Sequence, residues 1–158
     1  MTALDLESAT PRLRQAFEYW VAKCGSRPMP SRADLEPAEM KPLLPYLVLM
    51  DVLRDTRPDW PLDFRYRLIG SVTDAMMNAR YTGKCMSELP HQQPDSRLWQ
   101  SLSHVTQTRQ PQINRVPYVG PHKDFISVVD LVMPLSADGV KVDMLFCIVD
   151  FVPRERRY

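Results

Sequence analysis

The sequence predicts an α+β fold in which helices are inserted between the second and third strands of a five-stranded antiparallel sheet. Two strand-like runs precede a stretch with helical spacing, and three strand-like runs follow it. An Asp138-Gly139 pair separates the last two runs and is typical of a hairpin, which makes neighbouring strands antiparallel. Pro117 places the third strand at a sheet edge, because proline cannot donate a ladder hydrogen bond.

A helix is expected at the N-terminus, since Thr10 is a good cap residue and Pro11 suits the first helical position. Gly25 supplies its end. A single helix with an apolar stripe either packs on its own sheet or pairs with the same helix of a second subunit. The stripe, a candidate dimer or interaction surface, consists of Leu13, Phe17, Trp20 and Val21.

Five prolines between residues 26 and 46 allow only short turns, one of them capped by Ser31. The run 47–53 is apolar on both faces and predicts a strand covered on both sides. Residues 55–63 are expected to form a loop. In the strand 64–70, the alternation places Phe64, Tyr66 and Leu68 on one face.

Two helices are predicted next, a short one starting at Ser71 and a longer one over 94–109. A glycine-hinged turn separates them. The last three strands are expected at 112–119, 124–135 and 140–151. The last is apolar on both faces from residue 144 and therefore predicts a central strand between the inserted helices and the N-terminal helix.

The composition fits one globular domain of 158 residues, with 44% hydrophobic and 25% charged residues. Twenty basic and 19 acidic residues spread along the chain leave a net charge of +1, so neither nucleic acid nor a membrane surface is an expected partner. The only basic cluster is the tail of Arg154, Arg156 and Arg157, which we expect to be solvated.

Cysteine usage and targeting signals predict a cytoplasmic protein. Three cysteines at wide spacing argue against disulfides and against a paired-thiolate metal site. The N-terminus lacks the basic and apolar regions of a signal peptide, and no apolar run approaches the ~18 residues that span a bilayer.

Several segments resemble a bacterial family of PAS-like proteins long classified as a domain of unknown function. They are EYWVAKCGSRPMPSRADLEP, LLPYLVLMDVL, DFRYRLIGS, YTGKCMSEL and MPLSADGVKVDMLFC. The resemblance runs across nearly the whole chain, with Arg67, Gly70 and Gly83 as motif positions. It implies a PAS fold behind an N-terminal helix and a role in signal transduction, in some members alongside histidine kinases. The chain then divides into an N-terminal helix and proline-rich connector (1–45), a PAS domain (46–153) and the basic tail (154–158).

A PAS fold implies a pocket between the inner sheet face and the helices. Candidate lining residues come from both, and nine methionines suit an adaptable apolar cavity. The same side chains could instead fill a solid core. The candidates are Tyr66, Leu68, Met76, Met77, Trp99, Leu102, Phe125, Val129 and Met133.

No cofactor is expected. His104 should face solvent if Leu98, Leu102 and Val105 face the core, which argues against haem. Cys85 lacks the flanking amides of flavin-adduct domains. Neither an activated nucleophile nor a phosphate-binding glycine loop is present in the sequence, although Asp130, Asp143 and Asp150 lie on neighbouring predicted strands.

The function we predict is a sensory PAS module, not an enzyme, that binds a small apolar ligand or a partner such as a histidine kinase. One alternative is a ligand-free adaptor that acts through the outer sheet face and the N-terminal helix. A second is a small enzyme that uses the cavity. Self-association into a homodimer through the N-terminal helix is also expected.

Overall fold

A computed structural model describes residues 4–7, 9–118, 120–122 and 124–153, and the predicted basic tail lies outside the described residues. The helices are α1 (Pro11–Cys24), α2 (Ser71–Ala75) and α3 (Arg97–Thr108). The strands are β1 (Leu47–Arg57), β2 (Trp60–Ile69), β3 (Gln112–Pro117), β4 (Phe125–Leu135) and β5 (Met144–Pro153). Short 3-10 turns lie at Arg32–Asp34, Pro37–Glu39, Leu44–Tyr46 and Met86–Glu88. The predicted α+β fold is confirmed.

The five strands form one antiparallel sheet in the order β2-β1-β5-β4-β3. The last strand is central and β3, which contains Pro117, is an edge, as the sequence predicts. The other edge, β2, is partly covered by a turn, because Gly83 N–H donates to the Tyr66 carbonyl and Tyr66 N–H donates to the Lys84 carbonyl. That pairing leaves less of the β2 edge free for another chain.

Helix α1 lies on one face of the sheet, against β4 and β5. It begins at the predicted cap, where Thr10 Oγ1 accepts from Leu13 N at 3.3 Å, and Gly25 follows its last residue with a φ of 59°. The indole Nε1 of Trp20 donates to the Pro134 carbonyl at 2.9 Å. Arg12 contacts Asp150 of β5 at 2.5 Å and lies 3.5 Å from the ring centre of Tyr46. Helix α1 is therefore fixed to the sheet at both of its ends.

The segment 55–63, predicted as a loop, is mostly strand. β1 and β2 continue to a tight turn at Pro58 and Asp59, and Arg57 pairs with Trp60 across it. The extension has an apolar reason, since Trp60 packs edge-on against Trp99 of α3 at 5.5 Å between ring centres. The loop prediction was based on the proline and aspartate residues of this segment, which are typical of turns. These residues gave no indication that the residues on either side of the turn pair as strands.

β4 and β5 form the predicted antiparallel hairpin around Asp138-Gly139, but their connection has eight residues, because β5 begins only at Met144. Side chains organise this connection, which covers residues 136–143. Asp138 Oδ1 accepts from the backbone N–H groups of Val140 and Lys141, and Ser136 Oγ accepts from Gly139 N. These bonds compete with the strand ladder for the same backbone groups and so delay the start of β5.

A β-bulge interrupts the alternation of β2. Met50 pairs with Tyr66, but the preceding residue Leu49 pairs with Leu68, so Arg67 is the extra residue. Such a bulge exchanges the two faces of the strand beyond it. Within the described residues, no helix combines the length and apolarity needed to cross a lipid bilayer.

Candidate functional site

A cavity of about 1210 Å³ lies between the inner face of the sheet and the inserted helices. Its apolar wall is contributed by all five strands together with α2, α3 and the segments that flank them. That wall includes Val48, Met50, Tyr66, Met76, Met77, Leu102, Val116, Val128, Val132, Cys147, Val149 and Phe151. The volume is somewhat above the ~300–1,000 Å³ of common ligand pockets, so the cavity has room for a small molecule.

Strands β4 and β5 turn alternate side chains to the cavity and to the face that α1 covers. In β5, Cys147, Val149 and Phe151 line the cavity, whereas Ile148 is fully buried on the other face and Asp150 contacts Arg12. This follows from the two-residue repeat of a strand. One strand thus forms a wall of the cavity and the support of α1.

Four of the predicted pocket residues line the cavity: Tyr66, Met76, Met77 and Leu102. Tyr66 projects from β2 before the bulge, and Leu102 projects from the buried face of α3. The two methionines follow the short helix α2, which packs against the turn at Leu44–Tyr46.

The structure places the other five predicted pocket residues outside the cavity lining. Leu68 follows the bulge at Arg67 and is 45% exposed. Val129 and Met133 are buried on the opposite face of β4, because the cavity takes the even-numbered positions of that strand.

The two aromatic candidates lie beside the cavity wall. Trp99 points toward the β1–β2 hairpin, where it packs edge-on against Phe64 and Trp60. Phe125 precedes a break in the β4–β5 register and packs against Tyr118 and Phe151, which do line the cavity. Both therefore support the wall.

The predicted stripe on α1 is divided by the fold. Leu13 and Trp20 are buried against the sheet of the same chain, which leaves neither available to a second subunit. Phe17 is half-buried and stacks on Trp20 at 6.2 Å, and Val21 is 48% exposed. The exposed part of the stripe is thus reduced to the edge formed by Phe17 and Val21.

A buried polar group joins β3, β4 and α3 at the cavity. Asn114 Nδ2 donates to Asp130 Oδ1 at 2.8 Å and to Ser101 Oγ at 2.7 Å. The loss of water around Asp130 raises its pKa to about 6, and the Asn114 hydrogen bond opposes this rise only in part. Asp130 is half-buried as judged by its solvent-accessible surface. Its carboxyl group is therefore surrounded by protein but still borders the cavity.

A second polar group lies where β2 meets the segment before α3. Tyr66 Oη donates to Gln92 Oε1 at 2.6 Å, and burial raises the pKa of Tyr66 above its usual range. Tyr81 stacks on Tyr66 and its hydroxyl lies 3.2 Å from His91 Nε2 at the exposed rim. These contacts orient Tyr66 as a fixed part of the wall.

Two polar atoms that line the cavity are buried without a hydrogen-bond partner among the described residues: Thr73 Oγ1 and Gln112 Oε1. Thr73, on α2, is only 1% exposed. Buried polar atoms are almost always paired, since leaving one unpaired costs roughly 1–3 kcal/mol. Their position identifies the cavity as a place where a bound molecule could supply the missing bonds.

The three strand aspartates do not converge. Asp130 faces the cavity, Asp150 faces α1, and Asp143 accepts from Ala137 N in the 136–143 connection. Asp130 is not among the pocket residues predicted from the sequence. Its position between Val128 and Val132 on one face of β4 contained the signal, whereas the sequence predicted the cavity floor on the opposite face.

The rejected cofactor candidates lie at the margins of this site. His104 is exposed, as predicted, although it borders the rim of the cavity. Cys85 is half-buried at the turn that covers β2, and burial raises the pKa of its thiol. Cys147 lines the cavity, and burial raises the pKa of its thiol well above the ordinary value, which makes it a poor nucleophile.

A five-stranded antiparallel sheet with helices inserted between β2 and β3 and a cavity beneath them is the arrangement of the PAS class of sensory and signalling domains. A family model described as a PAS domain matches residues 8–149 of the chain. The chain therefore belongs to the PAS domain family, and the match includes α1. Comparison with curated proteins and with solved structures gives no significant match.

Proposed function

We propose that this PAS domain is a sensor that binds a small, largely apolar molecule in the cavity and transmits its presence through the sheet to α1. The observation that carries the proposal is the pair of unpartnered buried atoms, Thr73 Oγ1 and Gln112 Oε1, in the wall of a cavity of about 1210 Å³. A solid core would fill such space and pair such atoms.

The path to α1 is supported by the alternation along β5. A molecule against Val149 and Phe151 presses on the strand whose opposite face includes Ile148 and Asp150. Asp150 contacts Arg12 near the start of α1. A ligand shifts the packing of α1 only as far as it binds one arrangement better than another.

The proposed output is a protein partner, such as a histidine kinase, that recognises α1 or the sheet edge beside it. The proposed role includes no catalysis. Among the described residues, Asp130 hydrogen-bonds the neutral Asn114 and makes no bond to either histidine at the rim, which supports binding over acid–base chemistry. Self-association through the N-terminal helix stays a prediction, with Phe17 and Val21 as the accessible part of the predicted stripe.

Native mass spectrometry of the purified protein tests ligand binding. We expect a noncovalent adduct in the mass range of a small molecule that is lost on denaturation. Val149→Phe should abolish the adduct, because Val149 lines the cavity and a phenyl ring would fill part of it. Val152→Phe makes the same change at a β5 position that does not line the cavity and should retain the adduct.

An adduct that is equally abundant in Val149→Phe would place the ligand elsewhere. A wild-type protein that carries no adduct would contradict the sensor and favour the adaptor. The adaptor is the weaker alternative, since Leu13 and Trp20 are already buried within the chain.

A further inference from the structure

We propose that the molecule bound in the cavity carries an N–H-donating head group, an amine or an amide, that contacts Asp130 and Gln112. The inference rests on the proposed ligand-binding function and adds the chemical class of the ligand. The head-group assignment is based on polar atoms of the cavity wall that could form further hydrogen bonds.

The register of β3 and β4 places the relevant side chains together. Asn114 is directly opposite Asp130, and Gln112 is directly opposite Val132, two residues along on the same face. Diagonal neighbours in an antiparallel pair are about 7–8 Å apart at Cα, within reach of one head group between their side chains. All four residues line the cavity.

The unused hydrogen-bond capacity is mainly that of acceptors. Both hydrogens of the Asn114 amide are engaged, one by Asp130 Oδ1 and one by Ser101 Oγ. Among the described residues, the hydrogen bond to Asp130 is accepted by Oδ1 and leaves Oδ2 free to accept another, and Gln112 Oε1 is buried without a partner. A ligand that donates hydrogen bonds satisfies both atoms, whereas a ligand carboxylate would meet two lone-pair-bearing oxygens.

The charge state of Asp130 favours the same class. With a pKa of about 6, this carboxyl group is mostly ionised at pH 7.5 and then only accepts hydrogen bonds. An ammonium or amide N–H next to it forms a charge-assisted bond, the stronger kind in a site sheltered from water.

The rim of the cavity has the opposite charge. Arg97 and Arg115 line it and are exposed, and His104 is exposed beside them. An acidic molecule is therefore attracted to the mouth, but its carboxylate is repelled from Asp130. The apolar body of the proposed ligand lies against Val132 and Val149, the direct strand neighbours of Gln112 and Asp130.

Three probes with one tail and different heads test the head-group assignment: octylamine, octanamide and octanoate. Calorimetry at pH 7.5 should give octanoate an affinity at least about tenfold below that of octylamine. Asp130→Asn should weaken octylamine by about tenfold or more and leave octanoate unchanged or tighter. Asp59→Asn, the same charge change at the exposed β1–β2 turn, should alter none of the three.

Gln112→Met provides a second variant that removes the amide with little change in size. It should weaken octanamide by about threefold or more. Octanoate binding as tightly as octylamine, or octylamine binding unaffected by Asp130→Asn, would overturn the head-group assignment while ligand binding stood. Failure of all three probes to bind the wild-type protein would overturn the assignment, whereas the ligand-binding function is overturned only if native mass spectrometry also shows no adduct.

Discussion

Asp130 is the residue that most clearly separates a binding cavity from a plain core. It lies in a strand with Val128 and Val132 on its own face, and its single hydrogen bond within the described chain comes from Asn114. An apolar residue at this position would pack without a desolvation penalty. The free-energy cost of burying a carboxyl group there is explained if a bound ligand forms hydrogen bonds with it.

The raised pKa of Asp130 predicts a pH-dependent stability difference between wild type and Asp130→Asn. The folded protein holds the Asp130 proton up to about pH 6, whereas the ordinary pKa of an aspartate is 3.8. Protonated Asp130 therefore adds stability that is fully present below pH 3.8 and is lost as pH rises through about 6. Because Asp130 is half-buried, we expect a loss of about 1–2 kcal/mol relative to the variant.

Denaturant unfolding of both proteins at intervals from pH 4 to 7.5 measures this difference. The comparison with the variant isolates Asp130, because the other ionisable side chains at the cavity, among them His91 and His104, are the same in both proteins. Arg97 and Arg115, which also line the cavity, are likewise common to both proteins. A difference in unfolding free energy that stayed flat, or that grew in favour of wild type, would contradict the burial of Asp130.

At this scale the sequence could predict residue types but not faces. Tyr66, Met76, Met77 and Leu102 are large side chains on predicted elements, and they line the cavity. Thr73 and Gln112 carried no signal, because their importance depends on which hydrogen-bond partners the fold brings near them.

Among the elements, α1 belongs to the core of the domain. Its residues Leu13, Ala16 and Trp20 are buried, and the Trp20 indole donates a hydrogen bond to the Pro134 carbonyl of β4. Removal of residues 1–25 would therefore expose the outer sheet face as well as abolish any contact between subunits. Single substitutions on α1 separate these two effects.

Trp20→Phe should lower the free energy of unfolding by about 2 kcal/mol, because it removes a buried hydrogen bond and leaves a cavity beside Pro134. Tyr19→Phe is the control on the same helix. Its hydroxyl accepts from Glu36 N and contacts Glu39 in exposed surroundings, so its loss should be under about 1 kcal/mol. Urea unfolding measures both, and equal effects would show that α1 does not pack as described.

The bulge in β2 marks where element patterns fail. Alternation from Phe64 correctly placed Tyr66 on the inner face. It could not extend past Arg67, because Arg67 is the extra residue of the bulge and therefore turns Leu68 outward. The motif glycine Gly70 explains part of this geometry. A Cβ there would lie 2.2 Å from the Leu44 carbonyl oxygen, so only glycine lets the end of β2 meet that turn. A contact between distant segments of this kind has no local signature.

At the scale of the whole molecule, the order of elements was predictable because each carries its own period. The central position of β5 followed from its two apolar faces, and the edge position of β3 followed from Pro117. Which face of the sheet lines the cavity and which face α1 covers could not be predicted, since both faces are apolar. This depends on the helix that covers each face, which only the assembled fold defines.

The sheet connects the cavity to α1, and this connection is the central claim of the account. Amide hydrogen exchange of residues 12–24 with and without saturating octylamine tests it most directly. We predict that protection of the α1 amides changes by about fivefold or more, while the 136–143 connection, with its own side-chain hydrogen bonds, is unaffected. Calorimetric binding of octylamine without any change in α1 exchange would contradict transmission through the sheet.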